Sequence, residues 1–147
     1  MAMIPVRFTV ILAAFLVSIT PGSADIIDVV RDWSLFGTWA TNCARPPAPD
    51  NAYATYVQRD RAVFLDRDVG SNQDSLAIID ASLLPDGTIS IVIDFGKAGT
   101  RTNVLAKDAE GRMRAMANHD SKGQFSVRNG VVLALKRPTP WQDRCGP

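Results

Sequence analysis

From Thr88 to Phe95, the residues Ile89, Ile91, Ile93 and Phe95 fall on one side of an extended chain, while Ser90 and Asp94 fall on the other. A β-strand with one buried face satisfies a period of two, whereas a helix repeats its apolar positions every three or four residues. Weaker alternations occupy 38–43, 52–58, 61–66, 75–81, 102–107, 112–118, 124–128 and 131–136. Between them lie Pro85-Asp86-Gly87, Glu110-Gly111, Lys122-Gly123 and Asn129-Gly130, which tolerate the backbone angles of tight hairpin turns. All but one of the 15 acidic residues are Asp, a side chain that hydrogen-bonds its own backbone in loops. The pattern predicts eight or nine short strands joined as successive hairpins. A meander of this kind removes its unpaired edges by closing on itself. The expected fold is therefore all-β, a small antiparallel up-and-down barrel of about eight strands, with a β-sandwich as the alternative.

The N-terminal stretch has another character. Arg7 precedes an apolar run from Phe8 to Ile19, and Gly22, Ser23 and Ala24 follow Pro21, which is the layout of a secretory signal peptide. The run is about 12 residues, short of the roughly 20 that a membrane-spanning helix needs. Cleavage after Ala24 is expected, leaving 25–147 as one domain that is periplasmic or secreted. In 25–36, Ile26, Ile27, Val30 and Trp33 recur at helical spacing, which predicts a short amphipathic helix plugging the barrel.

Export places Cys43 and Cys145 in a compartment where disulfides persist, and pairing is the expected state. The bond would close a loop of about a hundred residues, removing on the order of 4 to 5 kcal/mol of unfolded-state entropy. It would also tie the first strand to the segment after the last one, as a closed sheet requires. A zinc site is the poorer reading, because two isolated cysteines lack a CxxC spacing. The formal charge of the whole chain is +1, and Arg7 leaves with the signal. Such a balance lacks the basic excess that phosphate backbones demand, so nucleic acid is not an expected partner.

The run Phe36-Gly37-Thr38-Trp39 resembles the G-x-W opening of lipocalins, avidins and other calycin-type barrels. The resemblance implies that Trp39 lies at the barrel floor with an Arg from the last strand packed across it, for which Arg137 is the match. The wider pattern, Trp39 to Pro47 followed by a β meander and a terminal Pro140-Trp141 to Cys145, resembles a family of small exported alphaproteobacterial β-proteins. That resemblance implies the compartment and the disulfide, and carries no chemistry. Bacterial metalloprotease inhibitors also open with G-x-W followed by Cys, but their second Cys lies mid-chain. Periplasmic lysozyme inhibitors are similar in stapling an early strand to the C-terminus, but their inhibitory loop motif is absent here.

No catalytic, nucleotide or dinucleotide fingerprint occurs, no cofactor is implied, and the expected protein is not an enzyme. The lone His119 stands beside Asp120 and Ser121, three consecutive residues that cannot fold into a nucleophile, base and orienter. Asp66, Asp68 and Asp74 crowd oxygen donors around Gly70, a weak alternative for calcium, though Gly70 takes the fifth position and no Glu closes the loop. The aromatics are candidates to line a cavity, with simple core packing as the commoner role, and the small alanines on the strands leave room for one; an eight-stranded barrel either fills its interior or holds one small ligand. Arg112, Arg114, Arg128, Lys136 and Arg137 fall on the last three expected strands, where an ordinary solubilising face balanced by Asp elsewhere is the favoured reading, and one outward basic stripe for an anionic envelope surface or an acidic protein is the alternative. The expected function is binding of a small apolar ligand in the barrel mouth, with Trp33, Tyr53, Tyr56, Phe95, Lys97 and Arg101 as candidate contacts. The alternative is a protein-binding module, such as a protease or lysozyme inhibitor acting on an envelope or secreted partner.

Overall fold

The computed structural model describes residues 25–146, so the expected signal peptide at 1–24 lies outside the described residues. One helix, α1 (Ile26–Asp32), comes first. Asp25 caps it by accepting the Ile27 N–H at 2.9 Å, and the helix buries Val29 and Val30. Eleven strands follow: β1 (Gly37–Ala40), β2 (Tyr53–Arg59), β3 (Ala62–Asp68), β4 (Gln73–Leu83), β5 (Ile89–Asp94), β6 (Thr100–Lys107), β7 (Met113–Asp120), β8 (Phe125–Arg128), β9 (Val131–Val132), β10 (Arg137–Pro138) and β11 (Asp143–Arg144). They form one antiparallel sheet in the order β10-β9-β8-β7-β6-β5-β4-β3-β2-β1-β11. The protein is all-β, a single sheet curled into a half-barrel. Among the described residues no helix is long and apolar enough to cross a membrane.

The concave face follows from the alternation. On β5, Ile89, Ile91 and Ile93 are buried, and they meet Leu105 and Ala81 across the sheet and α1 from within. A bulge between Ile78 and Asp80 lets β4 keep Ile78 and Ala81 inside while Ile79 turns out to solvent. Trp39 is 2% exposed and its indole N–H donates to the Leu35 carbonyl at 2.9 Å, so the chain entering β1 is pinned to the core it has just crossed. Leu35, Met113 and Val30 are sealed around it.

The loop from Asn42 to Asn51 depends on one buried amide. The Asn51 side chain, 1% exposed, accepts the Asn42 N–H at 2.9 Å and donates to the carbonyls of Asn42, Arg45 and Pro46 at 3.0, 3.2 and 3.1 Å. Gly70 packs against this loop with φ +81°, and a Cβ there would stand 2.6 Å from the Pro47 carbonyl oxygen. Only glycine meets both conditions.

The C-terminal segment crosses from one flank of the curled sheet to the other. Its hydrogen bonds begin at Thr139, whose N–H reaches Gly130 O at 2.8 Å and whose hydroxyl reaches Ala115 O at 2.7 Å. Gln142 and Met113 exchange both backbone bonds, at 2.8 and 3.0 Å, and Cys145 N–H reaches Thr38 O at 2.7 Å. Arg144 lies opposite Trp39 and donates to the Phe36 carbonyl. A disulfide joins Cys43 and Cys145 with Cα atoms 5.2 Å apart, so the expected covalent link is present. The sequence alternation over 131–136 is mostly a turn instead, because the chain reverses after Val132 and re-pairs at Arg137.

Removing the covalent link tests how far the sheet depends on it. The double variant Cys43→Ser, Cys145→Ser should lose about 4 kcal/mol of unfolding free energy, read by urea denaturation beside the oxidised parent. Coincident midpoints would show that the crossing segment holds without the disulfide.

Candidate functional site

Ile93, Ile91 and Ile89 face Arg101, Asn103 and Leu105 directly across the sheet, so these β6 side chains share the concave side with the isoleucines. Lys107, opposite Met113, belongs to the same row. Polar groups therefore point into the curled sheet at both ends of β6, around an apolar middle.

At the Arg101 end is an open cavity of about 370 Å³. Leu65, Ile93, Phe95, Ala115 and Val127 supply its apolar wall, and Arg67, Arg101, Asn103, Asn118 and Ser126 its polar one. Asn118 organises the polar wall. Its side-chain oxygen accepts the Arg101 Nε–H at 2.8 Å and the Ser126 hydroxyl at 2.6 Å, while its amide nitrogen donates to the Asn103 side-chain oxygen. Arg101 Nη2 also reaches Ser126 Oγ at 3.1 Å. Arg67, across the cavity, places its guanidinium 5.1 Å from the Phe95 ring centre and is forked onto Asp74, with Nε donating to Oδ1 at 2.8 Å. That fork holds the Asp74 carboxyl below its ordinary value, despite an opposing push from partial burial.

Arg67 has a carboxylate partner and Arg101 has none within ion-pair distance among the described residues. Asp120 lies opposite Arg101 on β7, but its Oδ1 accepts the Gln124 and Lys122 N–H groups of its own turn, each at 2.9 Å. Those bonds, led by Gln124, hold its carboxyl below the ordinary range, with the Arg101 charge as a smaller contribution.

The other end of the row is filled. Lys107 Nζ lies 4.2 Å from the Trp33 ring centre and 5.5 Å from that of Trp39, and donates to the Trp33 and Ser34 carbonyls at 2.6 and 3.2 Å. Those carbonyls follow the C-terminal end of α1, where the helix dipole favours a cation. Desolvation lowers the Lys107 pKa, with the nearby Arg144 charge adding to it. The cations over Trp39 are thus Lys107 and Arg144, the latter at 5.8 Å. The expected pairing with Arg137 is not formed. Arg137 is exposed on β10, which pairs with β9 at the far end of the sheet order from β1.

Of the candidate contacts, the structure brings Phe95 and Arg101 to the cavity and sets Lys97 in the short turn Gly96–Ala98 between their strands. Trp33 belongs to the opposite end, where its indole N–H donates to Gly87 O at 2.9 Å. Tyr56 is buried in the core, and that burial raises its phenol pKa far above the ordinary value. Tyr53 donates to the Arg45 carbonyl at 2.7 Å and anchors the Asn42–Asn51 loop. Arg67, Asn103, Asn118 and Ser126 were not among the candidates, though the alternation Arg101-Asn103-Leu105 would have placed Asn103 beside Arg101.

The calcium arrangement is not assembled. Asp66 is on the outer face with Arg59 and Ser75, Asp74 is on the inner face with Arg67, and Asp68 caps Gly70 and holds Gln73. Among the described residues no group of three or more His, Cys, Asp or Glu is placed to hold a metal. A larger cleft of about 520 Å³ runs past Arg59, Asp66 and Ser75 and reaches Arg67 and Asp74, but both of its arginines are spent on those two carboxylates. Of the basic residues on the last strands, Arg112 and Arg114 stack on Trp141 at 5.4 and 4.6 Å, and Arg128 covers Phe125 at 4.1 Å.

The Arg67–Asp74 fork has a pH signature. Because the folded Asp74 pKa lies below its ordinary 3.8, the pair's contribution to stability is complete above that value and is lost as pH falls through the folded pKa. Arg67→Met should bring Asp74 back up, seen by carboxyl-carbon NMR, and flatten the acid limb of the stability profile. An unmoved Asp74 titration would contradict the assignment. No protein-family model, no curated protein and no solved structure matches this chain.

Proposed function

We propose that this chain is an exported, non-enzymatic binding protein of the periplasm or the secreted fraction, and that it holds one small ligand with an apolar body in the mouth of the curled sheet. The observation that carries this reading is the contrast between the two ends of the concave face. One is filled by Trp39, Leu35 and Met113, while the other keeps a cavity of about 370 Å³ with an apolar wall opposite a polar one. Ligand pockets run from about 300 to 1,000 Å³ and combine an apolar lining with a few placed polar groups, so this cavity suits a small molecule. Burying ~150 Å² of apolar ligand surface contributes about 4 kcal/mol. The loss of free motion on binding is of comparable size, so affinity depends on the polar wall as well.

The disulfide and the signal-like stretch at 1–24 support export. The buried Trp39 after Gly37 supports the likeness to calycin-type barrels. In the same reading, β1 to β7 with Gln142–Arg144 laid between β7 and β1 make a closed barrel of about eight strands. A second reading, a protein-binding module, rests on the tip between β9 and β10, where Leu133 and Leu135 are 44% and 66% exposed.

The neutral fluorophore N-phenylnaphthylamine separates the two. It should brighten on binding the mature oxidised protein, and Ala115→Phe, which fills the apolar wall, should weaken that binding at least ~tenfold with the urea midpoint little changed. Leu135→Ser should leave it intact. Full binding retained by Ala115→Phe would remove the mouth as the site.

A further inference from the structure

Resting on that reading of the mouth, we propose that the polar end of the ligand is a single carboxylate, and that Arg101 receives it end-on. A guanidinium carries five N–H donors in a fixed fork. Arg101 spends Nε–H on Asn118 and one Nη2–H on Ser126. The other Nη2–H and both Nη1 hydrogens have no partner among the described residues, and the Nη1/Nη2 edge is the one that takes a carboxylate in two parallel bonds.

The surroundings leave that edge charged and unclaimed. Both groups steadying Arg101 are neutral, so they orient the guanidinium without cancelling it. Asn118 is itself fixed by three bonds, to Arg101, Ser126 and Asn103, and is a positioning residue for the fork.

The nearby anions have other partners. Asp74 is forked by Arg67, Asp120 spends Oδ1 on two N–H groups of its own turn, and Asp94, on the opposite face of β5 from Ile93, accepts the Gly96 N–H at 2.7 Å. Lys97, exposed on the turn beside Arg101, adds positive charge at the rim. Ile93 lies directly opposite Arg101, and Leu65 and Phe95 line the same cavity. A carboxylate on the Arg101 fork therefore directs an aliphatic or aromatic body onto those side chains, so the ligand class is a small amphipathic monocarboxylate.

Octanoate and octanol share a chain and differ in the head group, so calorimetric titration of both into the mature oxidised protein isolates the anion. Octanoate should bind at least about tenfold tighter than octanol, and Arg101→Met should bring the two together. Asn118→Ala should weaken octanoate and leave octanol unchanged, which a merely structural role for Asn118 would not do. If Arg101→Met fails to fold, Arg101→Lys keeps the charge, loses the fork and should still cut the octanoate preference. Equal binding of the two probes to the parent, or an octanoate preference that survives Arg101→Met, overturns the carboxylate assignment and leaves the apolar-ligand reading standing. Binding of neither probe overturns both.

Discussion

The segment from Thr139 to Cys145 decides whether this chain has an inside. A sheet in linear order from β10 to β11 has two free edges, and a curl alone does not bring them together. The mutual backbone bonds of Gln142 with Met113, the β11 pairing with β1 and the Cys43–Cys145 disulfide draw one flank to the other. Side chains complete the crossing. Arg144 stacks over Trp39 and holds the Phe36 carbonyl, while Gly37, with φ +119°, leaves the space this needs, since a Cβ there would stand 2.9 Å from Arg144 Nε. The G-x-W opening and the C-terminus thus form one structural unit, although nearly the whole domain lies between them.

With the flanks drawn together, the concave face has two unlike ends. At one, α1 and the turn after it deliver Val30 and Leu35 onto Trp39, and the Trp33 and Ser34 carbonyls just past the helix accept the Lys107 ammonium. A half-buried lysine without a carboxylate is tolerable there because carbonyls at the helix end and two indole faces share its charge. At the other end no helix enters, so the side chains of β3, β5, β6, β7 and β8 face a cavity. Apolar packing and the hydrogen-bond network around Asn118 then divide its wall between them.

Much of the fold was legible from alternation and turn residues. The isoleucines of β5 face inward as their period requires, and most strands lie within a few residues of the runs that announced them. The helix at Ile26–Asp32 was visible at its spacing of apolar residues, and the pairing of the cysteines followed from the expected compartment. The two-residue strands β10 and β11 were not visible, because so short an element has no period and exists only through its partner. The site was only half legible, and β6 shows why. Its inward row is Arg101, Asn103, Leu105 and Lys107, so hydrophobic pattern alone would turn the strand over and put Val104 and Ala106 inside. Tertiary hydrogen bonds hold those polar groups inward, and nothing local in the chain encodes them. The same limit misplaced the cation over Trp39: short-range resemblance pointed to Arg137, while register and curl delivered Lys107 and Arg144.

The proposed binding of a ligand in the mouth rests on one asymmetry: an interior filled at the α1 end and left open, with an oriented guanidinium, at the other. Backbone amide NMR of the mature oxidised protein titrated with N-phenylnaphthylamine tests it most directly, because it reports position as well as binding. Shifts should concentrate at Leu65, Ile93, Phe95, Ala115 and Val127. Shifts confined to the Leu133–Lys136 tip, or to the cleft at Arg59, Asp66 and Ser75, would contradict it.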